Sequence, residues 1–450
     1  MTIAEKRKIW TEGYNQNKEA FDARIKDGIE KYRKGYCKLK IVDKNGKPLA
    51  NQQVTIDQQT HDFGFGANIF MLDELENDDD NLKYRESFKK YFNLATVPFY
   101  WDGLEPEEGK PRYDKNSPKV WRRPTPDRCI EYCEENGITP KLHCLVYDKF
   151  IPDWLPFGDM KGMEKLYKER FRQIAERYSG RLFEVEVVNE LLEEAGWKHK
   201  SVISDKHDIT EWAFSLARQY FPDDTLVINE ANPIVNLAKQ DYRNAYFMLV
   251  ENALKSGASI DKIGLQHHIF VGARAKNDEE YDKAISNTGH ISMIDPALIF
   301  KGLDIMATFG LPLELTEVTI PTFGDTPEDE ELQADLLELF YSICFSHEAV
   351  QDIVYWNVPD GFAFVLGGGW NENRVRGGLL HHDYTPKKSA DRLYKLTHEV
   401  WHTKEQLVTD RNGYVDFRGF FGEYTLNING KTYDFGIHKG DAPIDEIIVF

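Results

Sequence analysis

The chain has 450 residues, 41% hydrophobic and 29% charged, which suits a large folded core and excludes bulk disorder. Lys and Arg number 56 against 75 acids, a formal charge of −19. That balance argues against nucleic acid, anionic membrane surfaces and polyanionic substrates, and leaves neutral substrates untouched.

In chain order, residues 1–34 are charged and helical in pattern. The opening MTIAEKRKIWTEGYNQNKEAF lacks the apolar stretch of a signal peptide, and no run approaches a membrane span. This start predicts a cytoplasmic chain, or a periplasmic or secreted one if a leader was removed. Residues 36–60 read as a hairpin turning at Lys44-Asn45-Gly46. Eight apolar runs follow, beginning FGFGANIF (63–70), NLATVPFYW (93–101), TPKLHCLVY (139–147) and FEVEVVNE (183–190). They continue with TLVINEA (225–231), KIGLQHHIF (262–270), PLELTEVTI (312–320) and IVYWNVPDG (353–361). Helical stretches separate them. Thr125-Pro126 opens one that Gly137 closes, Asp208 opens a second before Pro222, and Asp295-Pro296 opens a third closed by Gly310. Others fit 160–178, 239–256, 328–347 and 387–400. Eight βα units predict an α/β fold, a (β/α)8 TIM barrel over residues 61–402. No glycine-rich phosphate loop follows the first strand, which disfavours a doubly wound sheet. Residues 403–450 read as short strands with turns at Arg411-Asn412-Gly413 and Asn429-Gly430. With 35–60 they are expected to form one small β-sandwich-like accessory module.

Five cysteines, an odd number with no CxxC, predict free and mostly buried thiols rather than a zinc site. The glycine-rich Leu366 to Trp370 lacks the Lys-Ser/Thr of a P-loop and predicts a cleft loop. His381-His382-Asp383 reads as a surface turn, and Asp78-Asp79-Asp80 as the start of a solvated helix.

In barrel enzymes the catalytic groups lie at the C-terminal ends of strands. That rule selects Glu190 after the fourth strand, Glu317 late in the seventh, Glu230 after the fifth, Asp148 after the third and Asp360 after the eighth. Asn189, Thr316, Gln266-His267-His268 and His143 are their polar neighbours. Two carboxyl groups facing across a cleft suit glycoside hydrolysis, one protonating the leaving oxygen and the other attacking the anomeric carbon or activating water. The alternative is a structural ion-pair pattern at the barrel mouth.

The motifs then point to a family. VVNE (187–190) resembles the acid/base motif of glycoside hydrolase family 10, the xylanase-like barrel enzymes. KLHCLVY (141–147) resembles its RGHTLVW, IPDWL (151–155) its LPxWL, and NEAN (229–232) its NDYN. IGLQHH (263–268) resembles IGLQGH, LELTEVTI (313–320) the nucleophile segment, and YWNVPD (355–360) FWGVxD. WDGLEPEEG (101–109) is similar to WDxLEPExG, and Gly378 to Lys387 to GLLFDxxYxPK. The resemblance spans about Phe63 to Leu396.

The resemblance implies a retaining β-glycoside hydrolase without cofactor or metal, acting on β-linked carbohydrate by double displacement and most like an endo-1,4-β-xylanase. Glu190 would be the general acid, then base, and Glu317 the nucleophile. Asn189 would bond the sugar 2-OH, and His268 would orient Glu317. His143 and Gln266 would contact the −1 sugar, Trp356 would wall it, and Trp101, Tyr100 and Asn232 would complete the cleft. One departure stands out. The family's second strand reads TxENxMKW, with three polar groups for the −1 and −2 sugars, where this chain has Thr96-Val97-Pro98-Phe99-Tyr100-Trp101. Tyr100 takes the place of the Lys. The expectation is therefore a more apolar glycone side, and a decorated xylan, another β-glycan or a β-glycoside with an apolar part as substrate. Phe364 or Trp370 would supply a further aromatic wall. A catalytically idle carbohydrate-binding protein is the alternative from another class.

Overall fold

The computed structural model describes residues 1–196, 200–231, 234–366, 368–440 and 444–449. Strands β1 (Lys34–Val42) and β2 (Gln53–Gln58) precede the barrel strands. These are β3 (Gly64–Asn68), β4 (Leu94–Pro98), β5 (Thr139–His143), β6 (Glu184–Asn189), β7 (Thr225–Glu230), β8 (Lys262–His268), β9 (Leu313–Thr319) and β10 (Val350–Tyr355). A short pair, β11 (Val365–Leu366) and β12 (Trp370–Asn371), follows. The chain ends with β13 (Lys404–Val408), β14 (Tyr414–Phe420), β15 (Gly422–Ile428), β16 (Lys431–Ile437) and β17 (Ile444–Val449).

Strands β3 to β10 run parallel in sequence order and close into an eight-stranded barrel, with β10 beside β3. Seven of the eight predicted runs each hold one of these strands whole, and the eighth, 353–361, overlaps only the end of β10, which starts at Val350. The intervening helices also follow their caps. Helix Pro126–Asn136 ends on Gly137 at φ 65°, a left-handed position that glycine occupies without a Cβ clash. The stretch 239–256 divides in two, because Asn244 ends one turn and caps a new helix, Ala245–Lys255, through Tyr246 and Phe247 N–H. The Asp78–Asp80 run is the first turn of helix Asp78–Tyr91, capped by Asn77.

The barrel strands are buried on both faces, but the two faces differ. Val185 and Val187 point to the surrounding helices, whereas Glu184 and Glu186 point inward and pair with groups across the barrel. Lys262 bonds both Glu184 and, at 2.5 Å, Asp352. Lys141 bonds Glu314 at 2.5 Å and lies 3.5 Å from Glu186. Burial alone would strip both lysines of their protons, but the carboxylates around them hold their pKa values above the ordinary range. Gly64 makes room for this ladder, since a Cβ there would meet the Asp352 carboxylate at 2.1 Å.

The terminal segments form two further sheets. One has the order β14-β1-β17 and the other β13-β2-β15-β16. Leu39 and Ile41 from the first meet Val54, Ile56, Leu426 and Ile437 from the second in a core of their own. The expected β1–β2 hairpin is not a ladder: the chain reverses at 43–46, makes one bridge from Val42 to Pro48, and crosses to the other sheet. The crossing places both apolar faces in one interior, which direct pairing would not do. The N-terminal segment breaks at Asn17 into helices Ile3–Gln16 and Lys18–Tyr32. Arg33 anchors their end to the carbonyls of Phe345, His347 and Val350 beneath the barrel. All five cysteines are buried, and none forms a disulfide.

Replacing Lys262 with Met leaves Glu184 and Asp352 buried without their cation. We expect a loss of about 3–5 kcal/mol in unfolding free energy. Chemical denaturation measures it, and stability within error of wild type would show that the ladder is not what stabilises the barrel centre.

Candidate active site

At the C-terminal ends of the barrel strands lies a cleft of about 460 Å³. Glu190, Glu317, Gln266, His268, Tyr100 and Trp356 line it, and His143 and Asn189 lie buried directly beneath. Trp101 does not join them. Its ring is buried behind the wall, edge-on to Tyr167 at 4.8 Å, with its N–H donated to Glu105 at 3.1 Å. Asn232 lies outside the described residues. Phe364 and Trp370 both reach the cleft, the latter on the β11–β12 loop.

Of the five candidate acids, only Glu190 and Glu317 line the cleft. Asp148 accepts from Tyr167, Ser201 and Ser204 and staples a loop. Asp360 pairs with Lys387 at 2.5 Å. Glu230 is buried, which pushes its pKa up to about 8, and its oxygens take the backbone N–H groups of Leu192 and Ala231.

The two cleft carboxyl groups belong to one network of amides. Asn229 Nδ2 lies 3.2 Å from Glu317 Oε1, 2.9 Å from Asn189 Oδ1 and 3.1 Å from Glu186 Oε1. Thr316 donates to Asn229 Oδ1 at 2.6 Å, which fixes that amide with its N–H groups toward the acids. Gly264 leaves the space, because a Cβ there would sit 2.7 Å from Asn229 Oδ1. Gln266 Nε2 then links Asn189 at 3.3 Å to Glu190 Oε1 at 3.1 Å. Tyr147 and, at 3.3 Å, Lys149 complete the shell of Glu190.

The environments of the two acids differ. Burial pushes the Glu317 carboxyl well above its usual range, with the nearby His143 opposing and the Glu190 charge adding to the rise. Two hydrogen bonds favour its ionised form. One comes from Asn229, the other from His268 Nε2 at 3.1 Å. Burial lowers the His268 pKa to about 4, so the ring is neutral at pH 7. Thr319 lies 2.9 Å from its Nδ1 and donates there, which puts the ring proton on Nε2, facing Glu317. Glu190 instead sits at a left-handed φ of 53°. Arg122 (φ 59°) and Asn357 (φ 71°) share this rare conformation in or beside the same cleft. Non-glycine residues are held so only where surrounding structure compels it, and such positions concentrate at functional sites.

The floor is polar too. His143 Nδ1 meets Glu186 at 2.7 Å and Nε2 meets the Tyr100 hydroxyl at 2.8 Å. Burial would lower the His143 pKa, but Glu186 holds it above the ordinary value. In its charged form the ring donates from both nitrogens, and Tyr100 then accepts and turns its own proton elsewhere. His143, Cys144 and Glu186 are also the one group of metal-type ligands among the described residues, but both ring nitrogens of His143 are engaged by protein.

The wall beside Tyr100 is not the apolar surface expected. Arg123 lies over the Tyr100 ring at 4.0 Å, and Arg122, Lys149 and Arg274 also line the cleft. Tyr147, Lys149, Asn229 and the three arginines are among the site residues that sequence patterns did not single out. Tyr147 and Asn229 stood within quoted motifs, but nothing in the run WRRP marks it as folding over Tyr100.

A model of glycosyl hydrolase family 10 matches residues 57–393. Among curated proteins, the anti-sigma-I factor RsgI6 of Acetivibrio thermocellus is 26% identical over 92% of this chain and 48% of its own length. Endo-1,4-beta-xylanase 2 of Arabidopsis thaliana is 25% identical over 92% of this chain and 35% of its own. The chain thus spans half or less of these relatives. Endo-1,4-beta-xylanase B of Thermotoga neapolitana is 23% identical over 75% of this chain and 88% of its own. Xylanase 10B of Thermotoga petrophila, solved with xylobiose, shares the fold at a TM-score of 0.57 and 20% identity, over 75% of this chain and 95% of that one.

Replacing Asn229 or His268 with Ala takes one N–H donor from the Glu317 carboxylate. Donors favour the charged form, so the midpoint of Glu317 should move to higher pH in each variant. Carbon NMR of the labelled glutamate carboxyls measures it; a midpoint unchanged or lower in both variants would show that neither contact stabilises the carboxylate.

Proposed function

The chain belongs to glycosyl hydrolase family 10, and from that membership we propose that it cleaves β-linked polysaccharide or oligosaccharide with retention of configuration, in the manner of an endo-1,4-β-xylanase. Glu317 is the nucleophile in this reading and Glu190 the acid, then base. The observation that carries it is the amide chain Asn229–Asn189–Gln266, which holds both carboxyl groups in one cleft while giving them different partners.

The reaction needs one carboxylate and one carboxylic acid. Glu317 has two neutral donors, Asn229 and His268, directed at its two oxygens. Those contacts oppose burial, and the anion they favour has little competing hydration, which suits attack on an anomeric carbon. Glu190 has a wetter setting near the cleft mouth, with the Tyr147 hydroxyl and the Lys149 ammonium beside one oxygen. In the first step Glu190 gives its proton to the glycosidic oxygen as Glu317 bonds to the anomeric carbon. In the second, the Glu190 carboxylate takes a proton from water, which displaces Glu317. As the glycosyl-enzyme forms, the Glu317 charge is lost, and the like-charge penalty that would oppose ionisation of Glu190 goes with it. The same group thereby serves first as acid and then as base.

Trp356 stands edge-on to Phe70 at 5.2 Å and to His143 at 5.6 Å, a rigid wall for the reacting sugar. His143 holds the Tyr100 hydroxyl at 2.8 Å, where in this reading it meets a sugar oxygen.

Glu317→Ala and Glu190→Ala should each lower kcat on the true β-glycan by about 10³-fold or more with the fold intact. Near wild-type rates in either variant would reject the assignment. Proton NMR of the first-formed product should show the configuration of the substrate, and an inverted anomer would reject double displacement.

A further inference from the structure

We infer that the sugar resting against Tyr100 carries a carboxylate, so that the preferred substrate is a β-glycan bearing uronate groups, recognised by Arg123 with Lys149. This inference rests on the hydrolase reading above and names the substrate class for the same cleft.

The starting observation is a cation without a counter-ion. Arg123 is half-buried, and the only hydrogen bond its side chain makes to a described residue runs from Nη1 to the Arg122 carbonyl at 3.0 Å. No carboxylate pairs with Arg122, Arg123 or Arg274 among the described residues. The guanidinium face of Arg123 is covered by aromatic rings, with Tyr100 at 4.0 Å, Phe150 at 5.3 Å and Phe70 at 5.7 Å. Stacking takes up the face of the group and leaves the N–H edge, which is the part that meets a carboxylate through two parallel hydrogen bonds. Lys149 Nζ also lies near the Phe150 ring, 5.7 Å from its centroid. Two cations thus stand within about 6 Å of one ring at the cleft wall.

Arg122 sharpens the argument. It is fully engaged, bonding the Phe362 carbonyl and, at 3.2 Å, Asn357 Oδ1. Burial, aided by the neighbouring Arg123 charge, lowers its pKa to about 10. The two adjacent arginines repel, and an anion at the free edge of Arg123 would relieve that repulsion. The overall charge of −19 opposes polyanions at long range, but beyond a Debye length of about 10 Å that field is screened, and Arg123 stands at the aromatic part of the wall, over the rings of Tyr100 and Phe150. Tyr100 contributes as well. Its hydroxyl lies 2.8 Å from His143 Nε2, and when that nitrogen donates, the hydroxyl proton is left for the same carboxylate or a ring oxygen beside it.

The test reads binding rather than turnover, so it stands even if the nucleophile assignment fails. In a Glu190→Gln background, titration calorimetry would compare a uronate-bearing β-1,4-xylo-oligosaccharide with the same oligosaccharide after reduction of its carboxyl group to an alcohol. We expect the acidic ligand to bind about tenfold tighter, with the preference shrinking as salt is raised. Adding Arg123→Gln should weaken the acidic ligand about tenfold more than the reduced one, and Arg123→Lys, which keeps the charge but loses the fork, should fall between. Equal affinity for the two ligands, equal weakening of both by Arg123→Gln, or no binding of either would overturn the inference. A sulfated oligosaccharide bound as tightly as the uronate would overturn the carboxylate class.

Discussion

The buried charge ladder in the barrel centre is the constraint on which the site depends. Lys141 and Lys262 are shared among Glu184, Glu186, Glu314 and Asp352, all inside the strands. An apolar barrel core would satisfy packing with less electrostatic cost. The ladder, however, continues upward without interruption. Glu186 accepts from His143 and Asn229, and these two reach Tyr100, Asn189 and Glu317. A cleft side chain is thus tied through two or three contacts to a salt bridge at the barrel's heart. Such a chain limits rotamer freedom in each member, and positioning within fractions of an ångström is what a displacement at an anomeric carbon requires.

The same ladder bears on charge. Burial favours protonated carboxyl groups throughout this region, and the unpartnered Glu184 Oε2 and Glu314 Oε1 fit carboxyls whose pKa values burial has raised. Glu186 is the exception, because His143 and Lys141 outweigh its burial and hold it below the ordinary range. The ionised Glu186 raises the His143 pKa, and His143 in turn opposes the rise that burial imposes on Glu317 above it. Coupling runs from Glu186 through His143 to Glu317, so the charge state of the cleft is linked to that of the barrel centre.

The barrel was legible in the sequence because its strands are short apolar runs between capped helices, a pattern that survives without any knowledge of partners. The two catalytic candidates were legible for the same reason, since each ends such a run. What was not legible depended on distant partners. Glu184 and Glu186 alternate with valines as they would on a solvent-facing strand; only Lys262 and Lys141, far along the chain in either direction, turn that face inward. The β1–β2 hairpin failed on similar grounds. A turn signal at Asn45-Gly46 specifies reversal, but which sheet receives the next strand is decided by the apolar faces of β13 to β17, hundreds of residues later. Trp101 was placed in the cleft by its motif, whereas the helical turn Trp101–Leu104 carries it into the wall against Tyr167.

The second barrel strand shows how function diverges on a retained frame. Loss of three polar groups from Thr96 to Tyr100 removes side-chain hydrogen bonds that the resemblance assigns to sugar binding. The structure fills that space from a different element. The loop around Arg122, held in a left-handed turn at φ 59° and bolted to Phe362 and Asn357, brings Arg123 onto Tyr100. A lysine on the strand would be a single mobile charge, whereas an arginine stacked on a buried tyrosine is a planar fork with its direction set. Tyr100 is set in turn by His143, and His143 by Glu186. The replaced wall is therefore connected to the same central ladder as the catalytic pair. The wall beside Tyr100 thus departs from the family's pattern, while the amides that hold Glu190 and Glu317 come from other strands.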